Sequence, residues 1–311
     1  MQLPDPVRRS IESRAEAAGF APLARAAQLL SDAYRDHRPH DLAQIPAEHR
    51  TAAYLVTRMP ATYAAAFQVM AEVRRRLGEP LPASVLDVGA GTGAASLAAR
   101  AWFPDAALTM LERDADFARA AEEWLPDAAR LGGDLGRIKE LPPHDLVIAA
   151  YSMGEMEPGL LWRLWEAARV ALVLIEPGTP RGFAAIAAMR TGLLQRGAAM
   201  LAPCPGSGPC PIQSPDWCHF AARVERSSLH RRLKAAGLNY EDEKFSYLAV
   251  ARHLVELPAA RILRRPEHHP GLIRIAQCTP SGIESRNVTR RDPSAFRQAR
   301  RAAWGDTGFS L

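Results

Sequence analysis

The chain has 311 residues, 48% of them apolar, and a formal net charge of +5, enough for one large or two modest domains with a full core. No uninterrupted apolar run is long enough to span a bilayer, and the opening Met1-Gln-Leu-Pro-Asp lacks the basic-then-apolar pattern of a secretory signal, so neither a membrane protein nor a secreted one is expected. The charge is uneven: between Ala221 and Arg301, 17 Arg or Lys stand against 8 Asp or Glu, about +9, and the remainder is mildly acidic.

Up to about Leu77 the pattern is helical. Ser10 to Ser31 is Ala-rich with apolar residues at helical spacing, and Ala61 to Leu77 follows Pro60, a residue suited to a first helical turn. From Ser84 to about Phe183 apolar strands alternate with helical segments. Strands are expected at Ser84–Val88, Ala107–Leu111, Leu146–Tyr151 and Val170–Ile175, and helices at Ala95–Trp102, Ala115–Trp124 and Leu160–Ala168. Such alternation predicts a parallel sheet built from βαβ units. After Arg196 a loop rich in Pro, Gly and Cys begins. Short strand-like runs follow at Phe245–Arg252, Ala260–Arg264 and Gly271–Ala276, then a helix near Pro293–Ala303. The expected fold class is α/β: an N-terminal helical region over 1–80, a Rossmann-like domain over 81–196, and a cysteine-containing, strand-rich basic extension over 197–311.

The strand Ser84–Val88 runs straight into Gly89-Ala90-Gly91-Thr92-Gly93. Glycine accepts φ values that a Cβ forbids, so such a turn lets backbone N–H groups approach a nucleotide-like ligand at a helix N-terminus. The dinucleotide-binding version reads G-x-G-x-x-G. Here the spacing is G-x-G-x-G with Asp87 two residues ahead, which resembles the first motif of class I S-adenosylmethionine (SAM) methyltransferases. The expected cofactor positions are therefore Asp87, Gly89, Ala90, Gly91 and Gly93, with Asp87 alternatively holding the loop through backbone hydrogen bonds. Glu112 ends the second strand about 20 residues on, where a carboxylate can accept both ribose hydroxyls. Asp134, after the third strand, can meet the adenine amine or serve only as a turn residue behind Gly132-Gly133. Tyr151, closing the fourth strand, completes the set.

The mouth of this site decides the reaction. The fourth strand ends Ala149-Ala150-Tyr151-Ser152-Met153-Gly154-Glu155-Met156 and the fifth Ile175-Glu176-Pro177-Gly178-Thr179-Pro180-Arg181-Gly182-Phe183. The Asn/Asp-Pro-Pro-aromatic turn of amine-directed nucleic-acid methyltransferases is absent. Methylation at cytosine C5 needs an attacking thiolate, and no cysteine lies near either strand end. Glu155 and Glu176 are the candidate bases, each equally suited to orienting backbone or pairing with an Arg.

Four cysteines occur: Cys204, Cys210, Cys218 and Cys278, three of them in one loop. In an intracellular chain thiols clustered this way hold metal more often than they form disulfides. Four thiolates on a Pro/Gly loop suit tetrahedral zinc or a four-iron four-sulfur (4Fe–4S) cluster; the lack of C-x-x-C knuckles weakens a zinc ribbon, and the Cys-Pro pairs lean toward iron–sulfur. His219 beside Cys218 is a further candidate ligand or a packing residue. Basic groups recur at Arg231-Arg232-Leu233-Lys234, Arg264-Arg265, Arg290-Arg291 and Arg300-Arg301. Arginine forks suit phosphate, which points to a nucleic-acid face over a merely solvated one.

Tyr54-Leu-Val-Thr-Arg58-Met-Pro60-Ala61-Thr62-Tyr63, the glycine turn, Glu176–Phe183, Trp217-Cys218-His219-Phe220 and Ala302-Ala303-Trp304-Gly305-Asp306 together resemble one family. It is the methyltransferase-like protein of the mitochondrial small ribosomal subunit, with its bacterial relatives, and the likeness runs over nearly the whole chain from about residue 50. The resemblance implies a class I SAM-methyltransferase fold, a 4Fe–4S cluster on Cys204, Cys210, Cys218 and Cys278, and action in small-subunit assembly. The implied partners are the small-subunit precursor and its ribosomal RNA (rRNA), with no membrane and no DNA. The Ala- and Arg-rich composition is that of a bacterial protein from a GC-rich genome, hence cytoplasmic, or mitochondrial in a eukaryote. Two functions follow, a SAM-dependent rRNA methyltransferase and a SAM-binding assembly factor that transfers no methyl group. A small-molecule methyltransferase ranks third, because the arginines would have no role in it.

Overall fold

The helical pattern over Ser10–Ser31 belongs to two helices, α1 (Asp5–Ala18) and α2 (Phe20–Arg35), parted at Gly19. Its φ of 71° lies in the left-handed region that glycine enters without a Cβ clash. The computed structural model describes residues 1–35, 44–133, 138, 140–153 and 159–308; Asp134 and Glu155 lie outside them. Within the region read as helical, α3 (Ala47–Thr57), whose bounds the sequence did not mark, leads through Arg58 into α4 (Met59–Leu77), which carries Pro60 in its first turn as expected.

The α/β region alternates as the sequence predicts: β1 (Ser84–Val88), α5 (Ala94–Trp102), β2 (Ala107–Glu112), α6 (Ala115–Glu122), β3 (Ala129–Gly132), β4 (His144–Ala150), α7 (Leu160–Ala167), β5 (Ala168–Pro177) and α8 (Pro180–Gln195). These five strands are parallel in the order β3-β2-β1-β4-β5, so the order reverses between β1 and β4. Three strands beyond residue 196 complete the same sheet: β6 (Ala199–Ala202), β7 (Phe220–Glu225) and, after the short helix α9 (Ser228–Leu233), β8 (Tyr240–Ala251). β8 lies antiparallel to β5, and β6 and β7 both pair with its other edge. The run expected at Phe245–Arg252 is thus the second half of a longer strand, whose first half is held by pairing Tyr240–Lys244 with Glu225–Ala221.

Side chains alternate between the two faces of the sheet with the period of two that a strand imposes. Val85, Leu146, Ile148, Val173 and Ile175 pack with α4 and α5 residues such as Val69, Met70 and Ala98, whereas Leu86, Val88, Val147, Leu172 and Leu174 pack with Leu161, Leu164 and Ile186 of α7 and α8. A second, antiparallel sheet follows: β9 (Arg261–Ile262), β10 (Glu267–His269), β11 (Leu272–Thr279) and β12 (Gly282–Thr289), closed by α10 (Pro293–Ala299). Asp292 caps α10 by accepting from the N–H groups of Ser294 and Ala295. The small core between them is Ile262, Ile273, Ile275, Val288, Ala295 and Ala299. No described helix is long and apolar enough to cross a membrane.

Candidate functional site

The turn after β1 sits at the carboxyl edge where the strand order reverses, the place where open α/β sheets bind ligands. Gly89, Gly91 and Gly93 take φ values of 73°, 54° and 78°. The N–H groups of Gly89 and Ala90 donate to the Leu111 carbonyl at 2.9 and 3.1 Å, which anchors the turn to β2. Gly93 is required by packing as well as by φ, because a Cβ there would stand 3.0 Å from Leu125 and 3.2 Å from Met110. Glu112, at the end of β2, accepts from the Gly91 N–H at 2.7 Å through one carboxylate oxygen and from the Asp114 N–H at 2.7 Å through the other. Asp87 faces the first turns of α5, where its Oδ2 accepts from the Ser96 hydroxyl at 2.7 Å. It is buried, its Oδ1 has no hydrogen-bond partner, and burial lifts its pKa to about 6. The bond to Ser96 ties the end of β1 to α5.

Helix α3 covers this turn. A Cβ on Gly91 would lie 3.9 Å from the Tyr54 hydroxyl of α3. Tyr54 packs on Phe117 at 4.7 Å, and Arg50 pairs with Asp114 at 2.6 Å while sitting over the same Phe117 ring. Arg50, Phe117 and Trp124, whose indole N–H donates to the Thr92 carbonyl at 3.0 Å, had no signal beyond their neighbourhood to Tyr54 and to the turn.

At the end of β4, Tyr151 holds a φ of 57°, uncommon for a residue with a side chain and a form of strain that concentrates at functional sites. Its N–H donates to the Ile175 carbonyl at 2.7 Å and its hydroxyl to Glu243 of β8 at 3.0 Å. Burial first, and then the Glu243 charge, push the phenol pKa well up. Glu176, one of the two candidate bases, is buried and accepts from the Met153 N–H at 3.1 Å. Asp87, Gly89, Ala90, Gly91, Gly93, Glu112 and Tyr151 therefore gather along one edge of the sheet at the ends of β1, β2 and β4.

The run Glu176–Phe183 has a packing logic. A Cβ on Gly178 would come within 2.6 Å of the Lys244 and Phe245 backbone, and one on Gly182 would run into the Pro177 carbonyl. Thr179 caps α8 by accepting from the Gly182 N–H at 3.1 Å, and the Trp217 indole donates to the Gly178 carbonyl at 2.9 Å. His219 stacks on Trp217 at 5.1 Å and meets the edge of Trp304 at 4.9 Å, so it serves as packing between the cysteine loop and the tail.

All four cysteines line one cavity of about 290 Å³ between α8, the loop after β6 and the β11–β12 turn. None is in a disulfide. Each is half-buried, and burial pushes the thiols of Cys204, Cys218 and Cys278 up, with mutual repulsion among the four adding to the effect at Cys218. Among the described residues no three His, Cys, Asp or Glu side chains converge as ligands of a single ion. Cys278 is brought to the loop by the pairing of β11 with β9, in which Cys278 lies opposite Arg261.

The arginine pairs separate into two kinds. Arg264 pairs with Asp216, Arg265 and Arg223 share Asp242 at 2.6 and 2.9 Å, and Lys234 and Arg226 share Glu241 at 3.3 and 2.7 Å. Arg232 packs over Phe20 at 4.3 Å. Around α10, by contrast, Arg290, Arg291, Arg297, Arg300 and Arg301 are exposed and meet no carboxylate among the described residues.

Five parallel strands in the order β3-β2-β1-β4-β5, an antiparallel strand beyond β5 and a glycine turn at the carboxyl end of β1 define the class I SAM-methyltransferase fold. Within that class, the chain belongs to the family described as mitochondrial small ribosomal subunit Rsm22, whose pattern matches residues 48–308. It is 26% identical over 287 residues to the mitochondrial ribosome assembly protein METTL17 of Homo sapiens, covering 81% of this chain and 61% of the human one. It is 25% identical over 320 residues to the mitochondrial Rsm22-cox11 tandem protein 2 of Schizosaccharomyces pombe, covering 82% of this chain and 42% of that one. The chain thus spans about three fifths of the human relative and less than half of the fission-yeast one. Among solved structures it is similar to the plantazolicin methyltransferase BpumL in complex with a triazolic desmethylPZN analog and SAH, with a TM-score of 0.48 and 11% identity over 74% of this chain and 97% of that one.

Proposed function

We propose that the chain binds SAM between the carboxyl ends of β1 and β4 and acts on the precursor of the small ribosomal subunit through its rRNA, with a 4Fe–4S cluster stapling its C-terminal part. The observation that carries this reading is the turn: three glycines at positive φ at the point where the strand order reverses, with Glu112 beside them. Gly89, Ala90, Gly91 and Gly93 then meet the cofactor through backbone, Glu112 takes the ribose hydroxyls, and Tyr151 borders the reacting end. In this division of tasks residues 1–80 cover the turn, 81–196 hold the cofactor, and 197–311 carry the cluster and face RNA.

Four thiols around a cavity, none of them in a disulfide, suit a polynuclear cluster bound at its corners through Cys204, Cys210, Cys218 and Cys278. When bound, such a cluster supplies a cross-link and a one-electron redox centre. The exposed arginines around α10 suit rRNA phosphates, and the mitochondrial human and fission-yeast relatives support a mitochondrial setting in a eukaryote.

A second reading, in which SAM is held and no methyl group leaves, is favoured by Glu176, which is buried and bound to the Met153 N–H, and by Tyr151, whose hydroxyl is engaged by Glu243. One experiment separates the two. Calorimetry measures SAM binding, and a tritiated-methyl assay is run on bare 16S rRNA and on immature 30S particles. Label in rRNA supports transfer, binding without label supports the held cofactor, and absence of SAM binding ends both.

A further inference from the structure

Arg190 projects from α8 into the wall of the cysteine cavity and is only 6% exposed. One of its Nη groups donates to the carbonyls of Gly206 at 3.0 Å and Gly208 at 2.7 Å, both in the loop between Cys204 and Cys210. Its Nε is buried with no hydrogen-bond acceptor, and no carboxylate meets the guanidinium among the described residues. The other buried guanidinium on this cavity, Arg261, is neutralised by Glu72 at 2.6 Å. Arginine does not shed its proton in proteins, and a buried charge needs an opposite one. The charge of Arg190 acts on the thiols of both Cys204 and Cys278.

We propose that Arg190 is the counter-ion of an anionic group held by the four cysteines, and that it sets how readily that group accepts an electron. The inference rests on the cluster reading above. Four thiolates around a cubane core leave the assembly net negative, and iron–sulfur potentials follow net charge and the hydrogen bonds around the sulfurs. A fixed positive charge in a site of low dielectric favours the reduced, more negative state. The two carbonyl bonds also make Arg190 a brace of the loop, so charge and brace must be measured apart.

The full chain is purified anaerobically as wild type, Arg190→Gln and Arg190→Lys, and each is studied cluster-free and reconstituted with iron and sulfide. The glutamine retains a donor for the loop without the charge; the lysine retains the charge without the fork. In the loaded state Arg190→Gln should make reduction at least tenfold less favourable, a fall of about 59 mV for one electron, with Arg190→Lys within threefold of wild type. Denaturation should show a change of sign: loaded Arg190→Gln unfolds more easily than loaded wild type, and the cluster-free variant is at least as stable as cluster-free wild type. A brace alone predicts weakening in both states and equal harm from both substitutions, and that result, a cluster-free Arg190→Gln that fails to fold, or an unchanged potential overturns the proposal. If the wild-type chain takes up zinc and no iron, the cluster reading fails by itself and Arg190 is judged on zinc. A tenfold weaker zinc affinity in Arg190→Gln alone then keeps the counter-ion role, and equal affinities end it. Uptake of neither metal ends both.

Discussion

Glu72 and Arg261, 189 residues apart in the chain, form an ion pair of 2.6 Å with both side chains buried. Arg261 also donates to the carbonyls of Pro203 at 2.9 Å and Gly305 at 2.8 Å, so one guanidinium joins α4, the residue before Cys204 and the C-terminal tail. Arg75 and Arg76 approach the same carboxylate from their own helix.

Glu72→Ala should destabilise the protein by about 3–5 kcal/mol, the cost of leaving a buried guanidinium without its anion. Arg75→Ala, at a side chain 61% exposed, should cost under about 1 kcal/mol. Chemical denaturation of the two variants reads both values, and equal small losses would remove the buried pair from the account of stability.

At the glycine turn the expected effects differ by position. Gly91→Arg puts a long side chain at a φ of 54° under the Tyr54 hydroxyl, where backbone meets the ligand, and SAM binding should fall below calorimetric detection. Glu112→Ala should weaken SAM by roughly 1.5–3 kcal/mol, the loss of charge-assisted hydrogen bonds. Gly93→Ala should instead act on the fold, by about 1–3 kcal/mol, because its Cβ would crowd Leu125 and Met110. Wild-type SAM affinity in both Gly91→Arg and Glu112→Ala would end the assignment.

The parts of this fold that are local in sequence were legible in it. β1, the turn and α5 follow from an apolar run, glycines and an Ala-rich stretch, and Gly19 shows afterwards why one long helical pattern is two helices. What depends on distant pairing was not legible: β8 takes its place beside β5 through a register that no alternation in Tyr240–Ala251 announces. The cysteine cavity was half-written, since three thiols share a loop and Cys278 arrives only by the pairing of β11 with β9. Charge was legible as count and not as partner. Asp216 and Asp242, which pair with Arg264 and Arg265, are distant in sequence from them and could not be read as their partners. Tyr54 stood out only within the motif Tyr54–Tyr63, and its post above Gly91 needed the third dimension.

His230 gives the stability an acid limit. It is buried, and desolvation, with the Glu241 charge opposing and Lys234 and Arg226 assisting, draws its pKa from 6.5 to about 4. The folded state therefore prefers the neutral ring. Its contribution is complete above the unfolded value and is lost as pH falls from about 6.5 toward about 4, by at most roughly 3 kcal/mol. Asp87 works in the opposite sense, since protonation near pH 6 relieves its buried charge. Denaturation of wild type and His230→Phe between pH 7.5 and 4.5 isolates the histidine, and the wild type should lose more stability over that interval than the variant. Parallel losses would place His230 outside the acid limit.

The α10 patch sets the expected salt dependence of RNA binding. Arg291, Arg297, Arg300 and Arg301 are exposed without carboxylate partners among the described residues, whereas Arg223 and Arg265 already share Asp242. A cation released from no ion pair gives its full attraction to a phosphate, and each phosphate neutralised on duplex contributes about 0.9 to the slope of log affinity against log salt. Reversing all four patch arginines to Glu should flatten that slope by up to about 3.5 and should remove the chain from small-subunit precursors in cell extracts. Reversing Arg223 and Arg265 should change the slope far less, because those side chains must first leave their own carboxylate. SAM affinity should be unaltered by the four patch reversals, since α10 lies on the second sheet and the turn on the first. Filter binding of 16S rRNA fragments from 50 to 300 mM salt, on the order of the range where such slopes are read, supplies the measurement. A slope unchanged by the four patch reversals would end the phosphate role of α10 and return weight to a small-molecule acceptor.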